Sequence, residues 1–243
     1  MNVVRARQAV AAALAALLLT SCGSLPSEVG FLKRHNEFLD QSPHAIAKAA
    51  FADMQKVKSL RILGTVNLDD EEGARMDVRL EGSECVATFD VEEGSMTFLQ
   101  NDKGSWIRPD NDIWRSKTSS TQEATKVLDR YAGKWFDAGT SPFAKLCNVD
   151  KLLKGFEVDE GDRGTIDVGK VEKVGDVDAI PLSGRDGKKR CTLWIAVEAP
   201  HHVVKLSQKE PNQMPEVLAF EEFGAEVDAP SPDKKDIVVL PGS

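Results

Sequence analysis

After Ser59 the apolar residues of this chain stop recurring every three or four positions and begin to alternate, and that change of period constrains the fold more than any other feature. Over Arg75 to Leu80 the alternation is strict, with Met76, Val78 and Leu80 on one side and Arg75, Asp77 and Arg79 on the other. Just before it, Ile62, Val66 and Leu68 share a side with Gly64. Successive side chains of a strand point to opposite faces, so these segments predict an antiparallel sheet with one dry side and one wet side. Further strands are expected over 85–91, 95–100, 105–108 and 112–117, with Gly94 and the run from Asn101 to Gly104 as turns. They carry Phe89, Met96, Phe98, Trp106 and Trp114, a large apolar and mainly aromatic series that packs a sheet against a helix. A second set is expected over 165–174, 177–182, 190–197, 202–208 and 216–223, broken at Gly169 by a bulge or tight bend. The last apolar run, Ile237 to Leu240, reads as an edge strand or a docked extension.

Helices flank the strands. Ser42 is an N-cap and Pro43 occupies the first helical position, where its missing N–H costs nothing; Ile46, Ala50, Met54 and Val57 then form the inner stripe of a helix reaching about Lys58. Ser120 and Glu123 make a capping box ahead of Ala124, Val127, Leu128 and Tyr131, a helix expected to lie across the sheet. Ser141 and Pro142 open a third helical region that Gly155 ends. The class is therefore α+β.

The N-terminus fixes an address. Arg5 and Arg7 precede an apolar run from Ala9 to Leu19 that is shorter than the roughly 20 residues a bilayer-spanning helix needs. It ends in Leu19, Thr20, Ser21 and Cys22, which resembles the bacterial lipobox, where cleavage leaves a cysteine whose thiol carries a diacylglyceryl group. This divides the chain into a signal peptide (1–21), a lipidated tether (22–41) and one domain (42–243), anchored by Cys22 to the extracytoplasmic face of the cell membrane. Two or three acyl chains supply the hold that a single chain lacks. With 31 Lys plus Arg against 39 Asp plus Glu, the surface repels phosphodiesters and anionic headgroups, which argues against nucleic acid and leaves the lipid as the membrane link. A monomer is expected. The other cysteines, Cys85, Cys147 and Cys191, sit in an oxidising compartment, and spacing alone leaves all three pairings open.

Chemical equipment is sparse. Of four histidines, His35 and His44 lie in or beside the tether, while His201 and His202 enter a strand as neighbours and so point apart, an exposed turn pair rather than a chelate. No nucleophile elbow, HExxH, phosphate loop or dinucleotide fingerprint occurs, and the acidic turn from Asp69 to Gly73 lacks the ligand spacing of a calcium loop. No catalytic residue, metal or cofactor is expected, which sets a hydrolase well behind a binding role.

The order of lipobox, tether, helix, meander, helices and second meander resembles the LolA/LolB-like envelope proteins, and within them the actinobacterial lipoproteins of the LppX and LprG kind. The residues that carry the resemblance are Met54 to Gly64, the Gly104 to Trp114 segment with its two tryptophans, and Cys191 to Lys205, where Leu193, Trp194, Ile195 and Ala196 precede Pro200 and Val204. The resemblance implies a large curved antiparallel sheet, a half-barrel, with helices packed over its concave face and room there for acyl chains. It also implies a Cys85–Cys147 disulfide, leaving Cys191 buried as a small hydrophobe. On this reading a lipid or other hydrophobic ligand lies between sheet and helices, lined by Ile62, Val78, Phe98, Trp106, Leu193 and Ile195. The alternative is a module with a filled core that binds an envelope protein partner. Replacing Cys22 with Ala is expected to move the protein from the membrane to the soluble fraction without changing its far-UV circular dichroism; retention at the membrane would refute the lipid anchor.

Overall fold

A computed structural model describes residues 36–68, 71–139, 147 and 165–239 of the chain. Cys22, the signal peptide, most of the tether and the helical region expected over 141–155 lie outside the described residues. The helices are α1 (Pro43–Met54), α2 (Asn111–Ser116) and α3 (Thr121–Tyr131). The strands are β1 (Ser59–Leu68), β2 (Glu71–Glu81), β3 (Glu84–Val91), β4 (Gly94–Asn101), β5 (Gly104–Pro109), β6 (Trp135–Asp137), β7 (Asp167–Val168), β8 (Glu172–Val174), β9 (Val177–Asp186), β10 (Lys189–Ala196), β11 (Val203–Lys209), β12 (Glu216–Glu221) and β13 (Ile237–Val238).

The strands form one open sheet in the order β13-β6-β5-β4-β3-β2-β1-β12-β11-β10-β9-β7, with β8 also on β9; every pairing is antiparallel except β13 with β6. Two meanders meet where β12 lies beside β1, so the strand that opens the domain ends in the middle of the sheet. The approach there is close. A Cβ on Gly64 would stand 1.9 Å from the carbonyl oxygen of Val217, so only glycine fits opposite β12.

Cross-strand register turns the alternation into one continuous apolar file. Phe136 lies opposite Ile107, Ile107 opposite Phe98, Phe98 opposite Ala87, Ala87 opposite Val78, Val78 opposite Ile62 and Ile62 opposite Phe220. Two residues along β12, Leu218 continues the file through Leu206 and Leu193 to Leu182. We call this side the inner face. Ile46, Ala47, Ala50 and Met54 of α1 are buried in the same cluster. The Ser42 hydroxyl caps α1 by accepting from the Ala45 N–H at 3.3 Å. Each large side chain removed from water there contributes roughly 1.5–3 kcal/mol.

The outer face is wetter. Arg61 donates to Asp77 at 2.7 and 2.9 Å and to Glu222 at 3.0 Å, and Arg79 reaches Glu222 at 3.3 Å, so the charges of β1, β2 and the end of β12 neutralise one another. Its apolar patches are two small clusters, Leu99, Trp106, Trp135 and Ala229, and Ala179, Ala196 and Val204. The segment after β12 runs over the first patch as a strap. The Val227 N–H donates to Glu81, Asn101 donates to the Ala229 carbonyl at 2.7 Å, Lys134 pairs with Asp236 at 2.8 Å, and β13 then seals the β6 edge.

Four expectations are corrected. The strand over 112–117 is helix α2, because Asp110 acts as N-cap, its Oδ1 accepting from the N–H groups of Asp112 and Ile113 at 2.9 Å. The first helix stops at Met54, and the strand over 165–174 is two short strands that Gly169 separates, where a Cβ would stand 2.5 Å from the Pro181 ring. Cys191 is half-buried, not buried. Strand β6 had no counterpart in the sequence reading, since three residues are too few to show a period.

Cys85 and Cys147 are bridged, 62 residues apart, with both residues buried on the inner face. Replacing both with Ala should lower unfolding stability by about 2–5 kcal/mol, read as a lower urea midpoint, and the wild-type protein should lose the same amount in reductant.

Candidate functional site

The inner face is the candidate site. It brings together five of the six side chains expected to line a ligand: Ile62, Val78, Phe98 and Ile195 are at most 2% exposed, and Leu193 packs against them half-buried. Trp106 is not with them. It lies opposite Leu99 while its neighbour Ile107 lies opposite Phe98, so the pleat turns its indole to the outer face, under the strap beside Trp135 and Ala229. The sequence shows which residues of a strand alternate but not which parity faces the helices across a hairpin; the register decides that.

At the β6 edge the file ends in an aromatic corner. Trp114 on α2, Tyr131 at the end of α3 and Phe136 on β6 have ring centroids 5.5 to 5.7 Å apart, two of the three pairs being tilted. Phe136 is buried, whereas Trp114 and Tyr131 are half-buried. The Nε1–H of Trp114 is itself buried with no hydrogen-bond partner among the described residues. Helix α3 forms from its cap as expected: the Ser120 hydroxyl accepts from the Glu123 N–H at 3.2 Å, while the Glu123 carboxylate reaches back one residue further, to the N–H and hydroxyl of Ser119. Those bonds hold the exposed Glu123 carboxyl below its ordinary range. Yet no residue of α3 is buried, and Ala124, Val127 and Leu128 leave its apolar stripe half-exposed. Sequence reasoning named Trp114 and Tyr131 but assigned them to different elements, and it did not single out Phe136, whose signal is the Trp135-Phe136 pair behind a helix.

Beside this corner lies a polar cleft of about 380 Å³ lined by Ser95, Thr97, Arg108, Pro109, Asp110, Asn111, Ala132 and Gly133. Arg108 lies 4.5 Å over the Trp135 ring, and Asp110 is occupied by the Ser95 N–H on one oxygen and the turn of α2 on the other.

Two neighbouring histidines occupy the turn between β10 and β11. The His201 ring stacks on Phe38 at 3.6 Å, and the His201 backbone N–H donates to Asp53 of α1 at 2.9 Å, tying the helix to the turn before β11. The hydrogen bond from Lys56, with that of His201 added, holds the Asp53 carboxyl below the usual carboxylate range. The His202 ring lies 4.2 Å from Phe223. Both histidines are half-buried, not an exposed pair. Among the described residues no three His, Cys, Asp or Glu side chains are grouped to hold a metal ion, and no helix is long and apolar enough to cross a membrane.

An open antiparallel sheet, helices on one face and an apolar file beneath them make this the LolA-like fold that the sequence pattern resembles. Among solved structures the chain is similar to LprF from Mycobacterium bovis, whose crystal structure superposes with a TM-score of 0.50 at 15% identity, over 78% of this chain and 96% of that one. The Mycobacterium tuberculosis lipoprotein LppX is also similar, with a TM-score of 0.49 at 13% identity, over 77% of this chain and 98% of that one. No protein-family model matches the sequence, and no curated protein does.

Burial pushes the His202 imidazole below its ordinary value, against a smaller upward pull from Asp53. The fold thus favours neutral His202, and the unfolded chain takes up the proton first as pH falls. Stability from this group is present above about pH 6.5 and is lost as pH falls below it. Melting temperature should therefore drop between about pH 7 and pH 5, and His202→Gln should flatten that drop. An unchanged slope would show that His202 is not the group responsible.

Proposed function

We propose that this protein is a non-enzymatic envelope lipoprotein, anchored through Cys22 and tethered over 22–41, that binds a lipid or other hydrophobic ligand between sheet and helices. The observation that carries the reading is the continuous apolar file from Phe136 to Leu182, together with a helix, α3, whose own apolar stripe is not buried. A sheet face of that extent is far more than α1 alone can cover, and α3, with no buried residue, has little packing to lose if the cover parts. Ile62, Val78, Phe98, Leu193 and Ile195 would line the ligand, with Trp106 contributing from the outer side only to the stability of β5. The LprF-like fold supports an arrangement of this kind. The protein would act as a monomeric carrier or chaperone at the extracytoplasmic face, without a cofactor and without nucleic acid.

A second reading rests on a specific observation: Ile62, Val78, Phe98 and Ile195 are already almost fully buried, as in a filled core. It makes the protein an interaction module that meets an envelope partner with its outer face or a sheet edge. The two readings diverge in one measurement. Organic extraction of the purified full chain followed by mass spectrometry should release a stoichiometric lipid, and the stripped protein should take up a fluorescent phospholipid. Absence of both would refute the carrier and leave the module.

A further inference from the structure

The indole N–H of Trp114 is the one buried side-chain donor left without a partner among the described residues. Buried polar groups in folded proteins are almost always hydrogen-bonded, and leaving one unmade costs as much as most single interactions are worth, so such an exception needs a reason. The surroundings narrow it. The indole is packed by Tyr131 and Phe136 at 5.5 Å, so the ring is held in one orientation. Phe136 connects it through Ile107 to Phe98, hence to the face that the carrier reading assigns to the ligand. The apolar stripe of α3 beside it is half-exposed among the described residues. A fixed donor in an aromatic wall, at the end of an apolar track, is the arrangement that orients an amphipathic molecule: the rings take its hydrocarbon and the N–H takes one acceptor oxygen.

We infer that Trp114 is a specificity-determining residue, its Nε1–H donating to an oxygen acceptor such as an ester carbonyl on the bound lipid, and that the site therefore prefers acyl esters over plain hydrocarbon. The inference rests on the carrier reading. It assigns the polar end of the ligand to the corner formed by α2, α3 and β6, with the chains running toward Phe98.

The test uses the full-length chain, pyrene-labelled phosphatidylcholine as the ester probe and diphenylhexatriene as a hydrocarbon probe with no acceptor. Trp114→Phe keeps an aromatic ring and removes the donor. It should weaken the ester probe about tenfold and change the hydrocarbon probe by less than about twofold. Equal loss of both probes, or loss of neither, would overturn the assignment. A second measurement needs no variant: the indole 15N–1H resonance of Trp114 should move downfield when phosphatidylcholine binds and not when diphenylhexatriene does, and no movement with bound ester would overturn it. If the wild-type protein takes up neither probe, the carrier reading itself falls, an outcome distinct from a wild-type protein that binds both and a variant that does not discriminate.

Discussion

An open sheet has two faces to hide and a fixed means of hiding them, and this mismatch governs the rest of the molecule. Twelve strands on one path, at about 4.8 Å spacing, give a sheet about 50 Å wide along its curve, whereas the twelve residues of α1 make a rod about 18 Å long. One helix cannot roof such a face. Among the described residues the covers along the file are separate: α1 with the His201 turn, the residue bridged to Cys85, and the aromatic corner of α2 and α3 at the β6 edge. A roof in pieces has seams, and at α3 the apolar side chains are half-exposed. Binding, on this view, exploits a weakness that follows from the geometry of the sheet.

The outer face solves the same problem with charge. Arg61 and Arg79 lie directly opposite each other, an arrangement that would repel, and are made compatible by Asp77, Glu221 and Glu222 around them. Exposed pairs of this kind add little to stability, typically under about 1 kcal/mol each. Their effect is on register: a slip by one residue would carry arginines into the apolar file, which fixes β1, β2 and β12 relative to one another. The two small apolar clusters on that side are covered by the strap and by the aliphatic reach of Lys205 over Trp194, 4.3 Å from its ring.

Much of this was legible in the residues. Alternation located the strands from β1 to β5 and from β9 to β12, Ser42 and Ser120 located two helices, and the family likeness gave the disulfide. What escaped has a common cause, which is that facing and short elements depend on partners distant in sequence. Ile113 and Trp114 look like strand residues until Asp110 is seen to cap the N–H groups that follow it, and the acidic Asp112 in the first turn was the available hint. Trp106 looks like a partner for Phe98 until the hairpin places Ile107 there. Of the site, the residues Ile62, Val78, Phe98, Leu193 and Ile195 show in the sequence as alternating positions of long strands, and the register then sets them on the inner face. The corner of Trp114, Tyr131 and Phe136 does not, since it joins three elements of which one was misread and another is only three residues long.

The seat of β12 sets the order in which the molecule can be completed. Strands β1 to β5 follow one another closely in the chain and can pair early, but β1 then waits with one edge bare until a strand some 150 residues later arrives; Leu63, for example, pairs with Ala219. Closing so long a loop is slow compared with forming hairpins. During that interval the central strand is open to pairing with another chain, and Gly64, the one position without a side chain, is where a stranger could come nearest. The strap follows β12 directly, so the same late event that fills the middle of the sheet also brings β13 to the edge of β6. The segment from Glu216 onward is thus what turns two meanders into one protein.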